Sequence, residues 1–311
     1  MMQTRSTGQA GFTLVEIAIV LAIAAVAGFM LLQASVGLRD NERRKAVRVT
    51  LDAADTALVQ FVATNKRLPC PADGRIASGL ANAGVEQVSG AGACNPVTQQ
   101  FGVLPWVTLG LTETAALDPW AGRLTYRVDP LLAGRAPLAA LMNMSQCDPA
   151  AIGPTGAGGA CLVAAAPCAG STACTSPGNY LANKGLDVWD GRSGFATRQN
   201  NRAAGSGAAY VLISHGPGGS AAYNSGGVLQ PGNTALNLDD EGPNRNNQAV
   251  VLAGTSVTAY RDAPLNDNPA LKPTVPGPVL PPDAQFYFDD YLSHPSIMAV
   301  LTRASLGPRA H

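Results

Sequence analysis

From Phe12 to Leu32 the chain carries one charged side chain, Glu16, in an otherwise apolar or small-residue run. About 20 such residues cross the hydrocarbon core of a bilayer as a helix, and no later segment comes close to that length. The pattern then changes. Val47, Leu51, Ala54, Leu58 and Phe61 recur at steps of four and three, the stripe of an amphipathic helix. Pro69 ends it, because proline disfavours helix at the residue before. The pattern predicts one helix from Phe12 to Thr64, about 80 Å long at 1.5 Å per residue. Residues 12–36 form its membrane or filament-core half, and 37–64 its amphipathic half.

Residues 65–311 read as a globular head of short strands between long loops. The strand candidates are Phe101–Val107, Arg123–Val128, Ala208–Ser214, Gln248–Ala253 and Gln285–Asp289, each β-rich and bounded by Gly, Pro, Asn or Asp. Residues 145–178 show no helical or strand period and read as an insertion loop. Residues 262–284 are proline-rich and read as an extended solvent loop. The stretch Phe286–Leu301 reads as a strand turning into a short helix, with Pro295 as the breaker. The fold class expected is α+β: a long N-terminal helix packed on a mainly antiparallel β head.

Composition narrows the function. The 311 residues hold 21 Lys plus Arg and 21 Asp plus Glu, a formal net charge of zero. No basic excess is available to neutralise phosphates, so no nucleic-acid partner is expected. Charged residues are 14 % of the chain, against a usual ~25 %. With 34 Gly and 23 Pro, the chain suits a loop-rich extracytoplasmic protein. A coiled-coil body and a multi-span membrane protein are excluded.

Cysteine usage agrees with export. Cys70, Cys94, Cys147, Cys161, Cys168 and Cys174 make an even set, read as three disulfides. Proximity suggests Cys70–Cys94, with the other four pairing among themselves inside the insertion loop. Zinc is the rival reading, but there is no C-x-x-C, and His215, His294 and His311 are distant in sequence.

The N-terminus has three readings. A secretory signal peptide would use Arg5 as its positive region and Ala25-Val26-Ala27 as its cleavage site. A plain signal anchor needs only the apolar run. Neither has a use for Glu16, a carboxylate that costs roughly 2.5–3.5 kcal/mol inside such a segment. The residues around it read Gly11-Phe12-Thr13-Leu14-Val15-Glu16. This resembles the processing motif of the type IV prepilin family, which includes pilins and the pseudopilins of type II secretion.

The resemblance implies a leader of residues 1–11, cut after Gly11 by a membrane-embedded prepilin peptidase, with N-methylation of the new terminus at Phe12. It also implies that Glu16 meets the N-terminal amine of a neighbouring subunit during assembly. The physics is consistent: a carboxylate in low dielectric is penalised, and an amine partner removes the penalty. The family's mid-helix proline is absent, since no Pro occurs between Phe12 and Arg67.

Further features bear on that resemblance. Arg39, Arg43, Arg44, Lys45 and Arg48 follow the apolar run while the leader holds only Arg5, an order that opposes the positive-inside rule. The cysteines and the leader outweigh it, because long domains translocate largely regardless of charge. Leu68-Pro69-Cys70-Pro71 reads as a rigid connector, and resembles a group of pilin-like minor subunits. Asp118-Pro119-Trp120-Ala121-Gly122, then Tyr126, is similar to a turn of pseudopilin heads, with Ala121 where that pattern has Gly and Gly122 expected to take its role.

Enzyme motifs are missing. Ser214-His215 with its Gly-rich turn has a superficial likeness to an esterase oxyanion strand, but no G-x-S-x-G elbow accompanies it. No catalytic residue and no cofactor are expected. Asp239, Asp240 and Glu241 are weak calcium candidates, because the family's major pseudopilins bind calcium in a head loop and oxygen ligands suit that ion.

The sequence therefore reads as a structural subunit, a minor pilin or minor pseudopilin. Its partners are prepilin peptidase, other pilin or pseudopilin subunits and the bacterial inner membrane. The N-terminus is expected in the cytoplasm and the head in the periplasm, before assembly into a periplasmic or surface filament rather than a closed oligomer. The alternative is an anchored or secreted disulfide-rich binding protein that does not polymerise.

Overall fold

The computed structural model describes residues 14–95, 100–135, 141–156, 159–163, 174–191, 197–219, 221–230, 244–245, 260–267, 271 and 287–310; helix residues 28 and 30–38 are described by backbone alone. The chain divides into two units, Met1–Ala46 and Val47–His311.

Helix α1 runs Leu14–Asn65. It ends where Lys66 takes a left-handed φ of 56°, its N–H still reaching the Val62 carbonyl at 2.8 Å. Within the second unit Val47, Leu51, Ala54, Leu58 and Val62 are buried. The fifth position of the stripe is thus Val62. Phe61 sits at the edge of the buried face, with the Arg67 guanidinium 5.0 Å over its ring. Each fully buried aliphatic side chain contributes about 1.5–3 kcal/mol.

The head is mixed helix and largely antiparallel sheet. Strands β1 (Ala72–Asp73), β2 (Gly102–Val103), β3 (Thr125–Val128), β6 (Tyr210–Ser214) and β8 (Tyr291–Ser293) form an antiparallel sheet in the order β1-β2-β3-β6-β8. Strands β4 (Val188–Trp189), β5 (Arg198–Asn200) and β7 (Tyr260–Arg261) form a second sheet, in which β4 pairs antiparallel with β5 and parallel with β7. Helix α2 is Pro177–Leu181 and α3 is Ile297–Arg303, the latter capped by the Ser296 hydroxyl on the Ala299 N–H.

Strand β6 shows how the layers join. Side chains alternate across a strand. Tyr210 and Leu212 enter the core shared with α1, while Val211 and Ile213 enter a smaller core with Leu186 and with Val188 and Tyr260 of the second sheet. All five β6 residues are buried, so this strand is sandwiched on both faces. Strand β3 does likewise. Leu124, Tyr126 and Val128 join the α1 side, and Thr125 and Arg127 point the other way, into a polar layer.

Several strands fall elsewhere than the pattern placed them. Phe101–Val107 shrinks to Gly102–Val103, because Pro105 has no N–H to donate and Trp106–Gly110 turns away. Residues 287–290 are not a strand; the pairing moves to Tyr291–Ser293 on β6. Gln248–Ala253 lies outside the described residues, as does most of 262–284 and the stretch 164–173 of the insertion loop.

Candidate functional site

The described part of the segment expected to serve in assembly falls in the first unit. Glu16 lies in the first turn of α1 and is exposed. Around it Leu14 is 85 % exposed, and Val15, Ile17, Ile19, Val20, Leu21, Ile23, Val26 and Phe29 are exposed as well. These positions step through every direction around a helix of 3.6 residues per turn, so the apolar surface is continuous rather than one stripe. An exposed apolar patch of this kind marks a protein or membrane contact. Among the described residues no helix is long and apolar enough to cross a membrane. Gly11 and Phe12 lie outside the described residues, and the expected span of 12–36 draws in part on positions described by backbone alone.

Two bridges fall within the expected groups. Cys70 bonds Cys94, with Cα atoms 5.2 Å apart, and Cys147 bonds Cys161, at 5.1 Å. Cys174 is also disulfide-bonded. Cys168 lies outside the described residues. The first bridge fastens the Leu-Pro-Cys-Pro connector, whose Pro69 carbonyl accepts from the Tyr126 hydroxyl at 3.1 Å.

Asp239, Asp240 and Glu241 lie outside the described residues. Among the described residues no group of His, Cys, Asp or Glu is placed to hold a metal ion.

Pattern reading missed a polar layer between the two sheets. The Thr125 hydroxyl lies 2.8 Å from His215 Nε2, and His215 Nδ1 lies 3.4 Å from Asp290 Oδ1. The Asn244 amide donates to Asp290 Oδ2 at 2.9 Å and to the Arg261 carbonyl at 2.8 Å. Hydroxyl, imidazole and carboxylate stand in the order of a nucleophilic relay. Thr125, His215 and Asp290 are all at most 2 % exposed, so the three groups lie buried between the strands. Burial pushes the Asp290 carboxyl up, against the opposing pull of His215.

Ser214 goes elsewhere. Its hydroxyl donates to Asp118 Oδ2 at 2.7 Å, so Ser214 and His215 serve different partners. Asp118 in turn accepts from the backbone N–H of Trp120 at 3.0 Å and of Gly122 at 2.8 Å. Burial raises its carboxyl above the ordinary range, though these hydrogen bonds pull the other way. The Asp-Pro-Trp turn is thereby fastened to β6. The residue in the left-handed region is Ala121, at φ 64°, so Gly122 does not take over that role.

The chemistry available to the chain thus divides. Among the described residues, the polar groups named above join strand to strand, and the N-terminal part of α1 exposes apolar side chains. No family model, no curated protein and no solved structure matches this chain.

Proposed function

We propose that the chain is a pilin-like structural subunit, a minor pilin or minor pseudopilin, anchored in the bacterial inner membrane and assembled through its N-terminal helix. Prepilin peptidase cuts after Gly11, Phe12 becomes the methylated N-terminus, and Glu16 receives the terminal amine of the neighbouring subunit. A head-to-tail contact that does not close generates a filament.

The observation that carries this reading is helix α1. Its described N-terminal positions are exposed and, apart from Glu16, apolar or small, while the same helix supplies the buried stripe of the head. An element that leaves so much apolar surface uncovered in one copy has its cover in a bilayer or in other copies. The head's disulfides fit an oxidising compartment.

Intact mass and N-terminal sequencing of the membrane-extracted protein test the proposal. A chain that starts at Phe12 with one added methyl is the expected result. A start near Gly28 means signal-peptidase cleavage and loss of Glu16, which overturns it. An uncut Met1 leaves a simple anchor and favours the non-polymerising binding protein. Glu16→Leu is expected to preserve membrane insertion and to abolish recovery with sheared filaments; normal recovery removes the role assigned to the carboxylate.

A further inference from the structure

The apolar stretch of α1 is followed on the same helix by Arg39, Arg43, Arg44 and Lys45, with Asp40 and Glu42 among them. Arg39, Arg43 and Lys45 are exposed and Arg44 is partly exposed. Successive residues turn by about 100° on a helix, which spreads these four at about 0°, 40°, 140° and 240°. They make a collar around the helix rather than a stripe on one face. Lys45 reaches Glu42 at 3.4 Å, but both side chains are about three-quarters exposed, so this pair screens little of the positive charge.

The axial spacing matters more. Leu14 and Arg39 are separated by about 38 Å of helix, and Leu14 and Lys45 by about 47 Å, at 1.5 Å per residue. A hydrocarbon core spans about 30 Å, and about 40–45 Å with its headgroups. If Leu14 stands at one edge of the core, Arg39 and Arg43 emerge among or just past the headgroups of the far leaflet. Long basic side chains bend back toward that layer. A partner protein would meet such charge on one face. A sheet of anionic headgroups meets it on all sides.

The placement also has a cost that needs a counterpart. Basic residues just beyond a span favour its retention on the cytoplasmic side, so this collar opposes export of the head. We infer that the Arg39–Lys45 collar binds anionic phospholipid headgroups of the leaflet reached by the C-terminal end of the apolar stretch. It sets the depth of the anchor there and holds the subunit before assembly. This rests on the membrane-anchor part of the proposed function. It adds a lipid class and a residue set that the filament reading does not require.

The test uses the full chain reconstituted in phosphatidylcholine vesicles containing a minor fraction of phosphatidylglycerol, with spin-labelled lipids of each class. The wild-type chain is expected to resist alkaline extraction and to restrict phosphatidylglycerol at least about fivefold more than phosphatidylcholine, the effect of one basic residue close to the surface. Added salt reduces the preference. The quadruple variant Arg39→Gln, Arg43→Gln, Arg44→Gln, Lys45→Gln is expected to resist extraction equally and to lose the preference. A wild-type chain that integrates without preferring either lipid overturns the collar and leaves the anchor standing. A preference that survives in the variant overturns the collar too. A chain that fails to integrate and restricts neither lipid overturns the anchor, and the collar with it.

Discussion

Arg67 grips Glu86 through both terminal nitrogens, at 2.9 Å to Oε2 and 2.8 Å to Oε1. The same Oε2 accepts from the Cys70 backbone N–H at 3.1 Å, and Arg135 adds contacts to Oε1 at 3.0 and 2.8 Å. One buried carboxylate therefore holds the end of α1, the disulfide-bearing connector and the loop after β3.

Glu86→Gln removes the charge that two guanidiniums face. Arg67 is 11 % exposed and Glu86 1 %, so its loss leaves a nearly buried cation without its counter-ion. Breaking such a pair costs about 3–5 kcal/mol. Arg135 is 58 % exposed and contributes less. Burial disfavours the carboxylate, but the hydrogen bonds from Arg67 and Arg135 outweigh it and hold Glu86 below the usual range. A lowered folded value gives stability that is present above the ordinary carboxylate pKa and is lost as pH falls through the folded one. Urea unfolding at neutral pH is expected to shift by that amount in the variant, with a shallower acid loss. An unchanged midpoint refutes the clamp.

Ala121 invites the opposite outcome. Its φ of 64° puts an L-residue where the left-handed conformation costs about 1–2 kcal/mol, and its side chain is exposed, so no packing is lost on trimming it. Ala121→Gly is expected to raise stability by up to about 1 kcal/mol after the extra freedom of the unfolded chain is counted. Ala121→Val is expected to lower it, since a branched side chain tolerates this conformation least. Thermal midpoints in the order Gly, Ala, Val check the argument; Val above Ala sinks it.

The same residue shows how far the pattern could be read. The 3.6-residue stripe of α1, the Cys70–Cys94 pair, the strand ending at Ser214 and the strand-to-helix passage around Pro295 all came from local signals, and each is formed in the structure. Phe61 and Val62 could not be separated, because both lie within one step of the stripe. The second sheet was invisible, since β5 is Arg-Gln-Asn and β4 and β7 are two residues each. The Thr125–His215–Asp290 layer depends on the registers of β3 against β6 and β6 against β8. Registers between strands about 80 residues apart have no local signature, and the signal at hand, a strand ending in Ser-His before a glycine turn, pointed to Ser214 rather than Thr125.

Lys184 carries a pH signature of its own. Its Nζ donates to the Gly159 carbonyl at 2.9 Å and stands 3.6 Å from the centre of the Tyr180 ring. Burial outweighs the attraction of Asp129 and brings the amine down to about 8. A lowered lysine value means that the unfolded chain holds more protons between that pH and the ordinary 10.5, so stability rises with pH across this window. The gain is about 3 kcal/mol at most. Lys184→Met removes it: the difference between variant and wild type is expected to favour the variant at pH 7 and to shrink by pH 10. A constant difference shows that the amine does not titrate there.

Asp55 sets the counterweight to Glu86. It sits on the buried face of α1, where its Oδ2 accepts from the Ser293 hydroxyl of β8 at 2.5 Å. Tyr210 of β6 lies beside it, and burial raises its carboxyl above the ordinary value despite the Ser293 hydrogen bond and the nearby Tyr210 and Arg303. A raised folded value means that the native chain takes up a proton before the unfolded one does, so this group adds stability as pH falls through its folded value. Glu86 loses stability as pH falls further, and the two offset one another over part of the acid range. Asp55→Asn keeps the shape and removes the proton uptake. Stability at neutral pH is expected to stay within about 1 kcal/mol of wild type, because an amide replaces a penalised charge beside the same partners. On acidification the variant is expected to lose the early gain, so its urea midpoint begins to fall at a higher pH than the wild type's. Superimposable acid limbs would mean that Asp55 is already ionised in the native state at its ordinary pKa, and that the junction of α1 with β6 and β8 tolerates a buried carboxylate without penalty.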